Sequence, residues 1–128
     1  MYDTIVKLKC VQINLQHSRG ATANLINYAA DNKLDIICVQ EPYIYQGRAV
    51  GFDTKYRTYT AGEAQSLTSI TIRNKVVGAM LISQLSDEDT ITLEITRGET
   101  TQILASMYWD RQKTIEEDLN KFEKILKQ

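Results

Sequence analysis

Proline is nearly absent from this sequence, with Pro42 the only one in 128 residues. It has no backbone N–H to give a central ladder, so that single break marks where the preceding strand stops pairing. Cysteine is almost as scarce: Cys10 and Cys38 are the two thiols, and their spacing matches no zinc pattern. Both fall in apolar, strand-like runs. With no signal-peptide pattern and no membrane-length apolar stretch, they read as reduced core residues of an intracellular protein. A dominant charge is missing too, since 15 Lys and Arg against 16 Asp and Glu leave −1, with a pI near 5.8. The chain therefore lacks the bulk field that attracts a polyanion, and a nucleic acid would have to be held by local groups or a metal ion. Repeats, linkers and low-complexity segments are also wanting. What is present is an apolar content of 43%, sufficient for a core, in a length that suits one domain or part of one (~100–150 residues).

The most informative stretch is Leu34 to Tyr43. Ile36 to Val39 is a continuous apolar run, the pattern of a strand covered on both faces. Pro42 stops it, so Glu41 stands at the carboxyl edge, where open α/β sheets place ligands. A solvated strand end fits the local pattern equally. Upstream, Ile5 to Leu15 is β-rich, with Val11, Ile13 and Leu15 alternating against Cys10, Gln12 and Asn14. A turn over Gln16 to Gly20 leads to a predicted helix from Ala21 to Asp31, with Ala21, Leu25, Tyr28 and Ala29 on one stripe and Asn32 as a left-handed stop. Strand, helix, strand makes a βαβ unit with parallel neighbours. Asn14 and Glu41 then emerge at the same sheet edge.

From Tyr43 to Ser69 the chain is loop-rich, with one alternating piece at Lys55 to Thr60. Ile70 to Ile72 and Val76 to Ile82 flank an Arg73-Asn74-Lys75 turn and suggest a hairpin. Thr90 to Thr96 places Ile91, Leu93 and Ile95 inward against Thr92, Glu94 and Thr96 on a wet face. Arg97-Gly98-Glu99 turns into a last strand from Thr101 to Tyr108, completing an antiparallel meander. A second helix follows, with Thr114 and Glu117 as a capping box and Ile115, Leu119, Phe122 and Leu126 on one stripe. The expected class is α/β (α+β), one mixed sheet flanked by two main helices.

Three polar residues sit at strand ends: Asn14, Glu41 and Tyr108. An amide and a carboxylate suit Mg²⁺ or Mn²⁺, since Mg²⁺ keeps several waters and commonly takes one or two carboxylates plus substrate phosphate. The Tyr108 hydroxyl can donate to a phosphate oxygen. A structural role is open to each taken alone. Trp109 as a base-stacking group, and Arg73, Lys75 and Arg48 as phosphate contacts, have ordinary packing or solvation as their alternative.

The strings Val11-Gln12-Ile13-Asn14-Leu15 and Asp35 to Tyr43, with Ile70 to Asn74 and Leu104 to Asp110, resemble an endonuclease/exonuclease/phosphatase domain. The similarity is to the apurinic-endonuclease-like domain of LINE-type (non-LTR) retrotransposons, and specifically to its N-terminal half. The resemblance implies half of a four-layer DNase-I-like sandwich, with residues 1–128 as a single incomplete domain. It implies Glu41 as a metal ligand with Asn14 beside it, and Tyr108 at the scissile phosphate. It further implies a Mg²⁺- or Mn²⁺-dependent enzyme that nicks DNA for retrotransposition, nuclear if part of a retroelement protein, with no membrane association.

The departure from that family lies in its second half, whose Asp-x-Asn motif and terminal Asp-His pair have no counterpart here. Asp118-Leu119-Asn120 matches by letters only, because its apolar neighbours keep helical spacing. The single histidine, His17, lies in the first turn and reads as a surface or loop-packing residue. Little activity is expected of the chain alone. Half a sandwich is also expected to leave an apolar face open at Ala79, Leu81, Ile91, Leu93, Leu104 and Met107, available to a missing C-terminal half or a homodimer. The alternative function is accordingly a non-catalytic remnant that self-associates or binds a partner.

Overall fold

A computed structural model describes residues 8–45, 48–49, 56–60 and 67–108. The predicted closing helix, Trp109 and Asp118 to Asn120 lie outside the described residues. Strand β1 (Cys10–Asn14), helix α1 (Arg19–Asp31) and strand β2 (Ile36–Gln40) form the expected βαβ unit. β1 and β2 pair in parallel, with Asn14 opposite Gln40. The short β3 (Ile44–Tyr45) and β4 (Arg48–Ala49) pair with each other. β5 (Arg57–Tyr59) and β6 (Thr68–Ile72) join β1 and β2 in a mixed sheet of order β1-β2-β6-β5. A second, antiparallel sheet follows, β7 (Gly78–Leu81), β8 (Thr90–Arg97) and β9 (Thr100–Met107), in meander order.

The alternation of β2 sets the layers. Ile37 and Val39 point to one face and pack with Leu15, Leu25, Ala29 and Leu34 under α1. Ile36 and Cys38 point to the other, where with Ile70 and Ile72 they meet Ile91, Leu93 and Ile95 of the second sheet and Val77 just before it. Every residue of β2 is buried, as a continuous apolar run requires. Burial pushes the Cys38 thiol up to about 12, with a smaller contribution from Cys10, so it stays a neutral core group.

Several expectations are corrected. Apart from the short β3–β4 pair, the strands divide between two sheets instead of lying in one, and the mixed sheet packs on the face expected to be open. Ile91 and Leu93 are fully buried, and Ala79, Leu81 and Leu104 pack against the same core. Cys10 is exposed because β1 is an edge strand of the mixed sheet. No hairpin joins β6 to β7, because residues 73 to 77 carry the chain from one sheet to the other. Tertiary partners hold that corner: Arg73 Nη1 donates to the carbonyls of Ala29 (2.9 Å) and Leu34 (2.7 Å), and Asn74 Nδ2 donates to Asp35 Oδ1 (3.0 Å).

Helix α1 starts two residues early because the Ser18 hydroxyl accepts from the Ala21 N–H at 3.0 Å and caps it. Its buried face is Thr22, Leu25 and Ala29, whereas Tyr28 is exposed. The left-handed residue after it is Lys33, at φ 51°, not Asn32. Thr92 is buried, not wet, because its hydroxyl donates to Leu85 O (2.8 Å) in the 3-10 turn Ser83–Leu85.

Candidate active site

One end of the two-sheet stack gathers the carboxyl ends of β1, β2 and β9 and the starts of β6 and β8. Asn14 closes β1, Glu41 follows β2, and Tyr108 follows β9. All three strand-end residues singled out in the sequence therefore come to the same edge. The Tyr108 hydroxyl donates to Glu41 Oε1 over a long 3.4 Å. Asn14 is exposed, and its Oδ1 accepts from the Gln16 N–H at 2.8 Å, which leaves it a second lone pair.

Main-chain bonds tie these ends together. The Glu41 N–H donates to Leu67 O (2.9 Å), the Leu67 N–H to Glu88 O (2.6 Å), and the Tyr108 N–H to Asp89 O (2.7 Å). Beneath them a buried polar cluster spans both sheets. Gln40 Nε2 donates to Ser106 Oγ (3.0 Å), which is 2.7 Å from Thr68 Oγ1.

The loop after β1 is latched to the end of β2. Leu15 and His17 give their N–H groups to the carbonyls of Gln40 (2.9 Å) and Glu41 (2.8 Å). Backbone strain concentrates there. Gln16, His17 and Glu41 hold φ of 50°, 57° and 50°, a left-handed region that residues with a Cβ enter at about 1–2 kcal/mol each. Such strain persists where surrounding bonds over-determine it, commonly at functional positions. Glu41→Gly and Glu41→Ala both lose the carboxylate, but only alanine keeps the Cβ penalty. After glycine's larger unfolded-state entropy is subtracted, the glycine variant is expected to be more stable by about 0.5–1 kcal/mol. Urea unfolding compares them, and equal midpoints would contradict a left-handed residue 41.

His17 is the site residue that sequence reasoning missed. Its Nδ1 lies 2.9 Å from the Pro42 carbonyl, and its Nε2 is 3.9 Å from Glu41 Oε1. Its partners are 24 and 25 positions away in the chain, and nothing local in the first turn announces them.

The donor set admits a hydrated divalent ion. The Glu41 side chain is 22% exposed, and a Mg²⁺ that keeps most of its waters needs only one or two protein oxygens. Among the described residues no three His, Cys, Asp or Glu side chains converge to cage a metal, so the water-rich type is the one that fits. No helix among those residues is long and apolar enough to cross a membrane.

No protein-family profile matches the chain, and no curated protein matches it by sequence. Solved structures do. The endonuclease domain of TRAS1, a telomere-specific non-LTR retrotransposon, superposes with a TM-score of 0.79 at 25% identity, over 94% of this chain and 53% of its own. TDP2 of D. rerio, solved with a single-strand DNA product, superposes with a TM-score of 0.61 at 15% identity, over 93% of this chain and 52% of its own. The chain thus spans about half the length of each structure it matches. Within that span it has the fold of the endonuclease/exonuclease/phosphatase superfamily, in the form seen in a retrotransposon endonuclease domain.

Proposed function

We propose that this chain forms the metal- and phosphate-binding portion of a divalent-metal-dependent DNA endonuclease that nicks one strand during retroelement insertion. The observation that carries the reading is the meeting of Glu41, Asn14 and Tyr108 at one edge of a nuclease fold. A bound Mg²⁺ or Mn²⁺ would neutralise charge on the phosphate and its leaving oxygen. Glu41 supplies the anionic oxygen that holds the ion, and Asn14 offers a neutral one from the neighbouring strand. Tyr108 donates to Glu41 Oε1 over a long 3.4 Å, which puts its O–H at the edge where a phosphate oxygen would arrive. The nuclear compartment follows from that role.

Binding without turnover is the behaviour proposed for the chain alone. Nothing in the sequence supplies the Asp-x-Asn and Asp-His elements of the resembled family, and loss of a water-activating unit lowers rates by many orders of magnitude. The self-associating remnant loses its main support, since the apolar face it needed packs against the mixed sheet. Calorimetry with Mg²⁺ and Mn²⁺ tests the proposal. Weak binding is expected, and Glu41→Ala should reduce it by about tenfold or more, equivalent to ~1.4 kcal/mol. Heats that Glu41→Ala leaves unchanged reject it.

A further inference from the structure

We propose that Arg57 and Arg97 form a binding corner for a phosphate-type oxyanion, at the end of the sandwich opposite the Glu41 site. The corner does not depend on Glu41 being a metal ligand. Strand direction separates the two places, since β6 and β8 both end away from the edge where Asn14, Glu41 and Tyr108 gather.

Register brings the two guanidinium groups together. Ile72 faces the space between the sheets, and Arg57 is its cross-strand partner, so Arg57 shares that face. On β8 the inward row of Ile91, Leu93 and Ile95 continues by alternation to Arg97, the last residue of the strand. Gly78 pairs with Thr96, which places Val77 across from Arg97 on the next rung. The Val77 carbonyl in turn accepts from Arg57 Nη2, as does that of Asn74 at 3.2 Å. The residue that holds Arg57 is therefore the neighbour of Arg97.

Both groups are short of acceptors. Arg97 Nη1 is buried without a hydrogen-bond partner, a costly condition for a charged donor. Arg57 spends one nitrogen on carbonyls, and neither arginine has a carboxylate partner among the described residues. Glu99 is exposed in the turn after Arg97, and Asp35 is taken up by the Lys9 N–H (2.7 Å) and Asn74 Nδ2 (3.0 Å). Lys75 adds an exposed cation in the link between the sheets. The balanced charge of the whole chain thus hides a local positive excess. An oxyanion supplies what this corner lacks. Arg97 Nη1 gives up no bond by turning to it, and both side chains are partly exposed. A tetrahedral phosphate can accept from two forks set at an angle, whereas a planar carboxylate matches one.

Amide chemical-shift titration of the metal-free protein tests this, first with inorganic phosphate and then with a short single-stranded oligodeoxynucleotide. Phosphate is expected to move the Val77, Arg97 and Gly98 signals and to leave those of Glu41 and Tyr108 in place. Arg97→Met should weaken phosphate by about tenfold or more, the worth of one charge-assisted bond. Arg57→Lys, which keeps a donor for the two carbonyls but loses the fork, should weaken it too. Glu41→Ala, at the other end, should leave phosphate affinity within about twofold. Because methionine removes an orphaned donor, the urea midpoint of Arg97→Met should not fall. Arg97-dependent shifts with the oligonucleotide identify the anion as a backbone phosphate, and shifts with inorganic phosphate alone identify it as a free one. Equal affinity for acetate, a response lost in Glu41→Ala, or binding that either arginine substitution leaves unchanged overturns the proposal. A lowered midpoint in Arg97→Met overturns it as well, since Nη1 would then have a partner.

Discussion

Leu93→Ala is expected to destabilise the protein by about 3–4 kcal/mol, within the range for a fully buried leucine whose cavity cannot collapse. Leu93 is 0% exposed and is the middle member of a row across the second sheet, opposite Leu81 on one side and Leu104 on the other. Above that row lie Ile36, Cys38, Ile70 and Ile72 of the mixed sheet. Truncation opens a hole between two hydrogen-bonded sheets, neither of which can close on it without giving up ladder bonds. Out of a typical total of ~5–15 kcal/mol, that is a large share. The control is Met80→Ala. Met80 belongs to β7 but is 59% exposed, and its truncation should stay within about 0.5 kcal/mol. Urea denaturation of both variants decides the matter. A Leu93→Ala loss no larger than that of Met80→Ala would mean that the two sheets do not pack on each other.

This sandwich was only half legible in the sequence. The run from Ile36 to Val39 announces a strand buried on both faces, and that follows from composition alone because each side chain must find an apolar neighbour. Alternation in β1 announces a strand but not its place in the sheet. Pairing on one side and exposure on the other depend on which strands come next to it, so an exposed Cys10 was not readable. The hairpin expected across residues 73 to 75 failed for a similar reason. Polar residues flanked by apolar runs fit a turn, but Arg73 and Asn74 are committed to Ala29, Leu34 and Asp35, partners some 40 positions away in the chain.

The site divides along the same line. Glu41 and Asn14 were placed at one edge by strand direction, which the order strand, helix, strand dictates. The positive φ of Glu41 was not foreseeable, since glutamate carries no preference for that region and enters it here because bonds from Glu41 to Leu67 and His17 hold the backbone. Nor was the facing of His17 and Glu41. It is created by the latch between two segments, one of which looked like an ordinary surface turn.

The second large effect is expected from Ser106→Ala, a loss of about 2 kcal/mol for one hydroxyl. Ser106, Gln40 and Thr68 are 3%, 7% and 0% exposed. Ser106 Oγ accepts from Gln40 Nε2 at 3.0 Å and stands 2.7 Å from Thr68 Oγ1. It is a buried polar contact through which β9 grips β2 and β6, beside the apolar side chains that join the two sheets. Alanine leaves the Gln40 amide short of an acceptor it cannot recover from water, at ~1–3 kcal/mol. If desolvation is the cause, removing the donor as well should relieve part of the loss. The Gln40→Leu, Ser106→Ala double variant should then be more stable than the sum of the single effects predicts, by about 1 kcal/mol. Strict additivity would sink the argument. Ser106 stands two residues before Tyr108, and Gln40 one residue before Glu41, so the same variant should also loosen the site. NMR of the Tyr108 ring is expected to show the hydroxyl leaving Glu41 in Ser106→Ala, whereas Leu93→Ala, acting on the apolar row, should leave that contact in place. The fold and the site are coupled through this polar cluster, and the difference between those two variants measures the coupling.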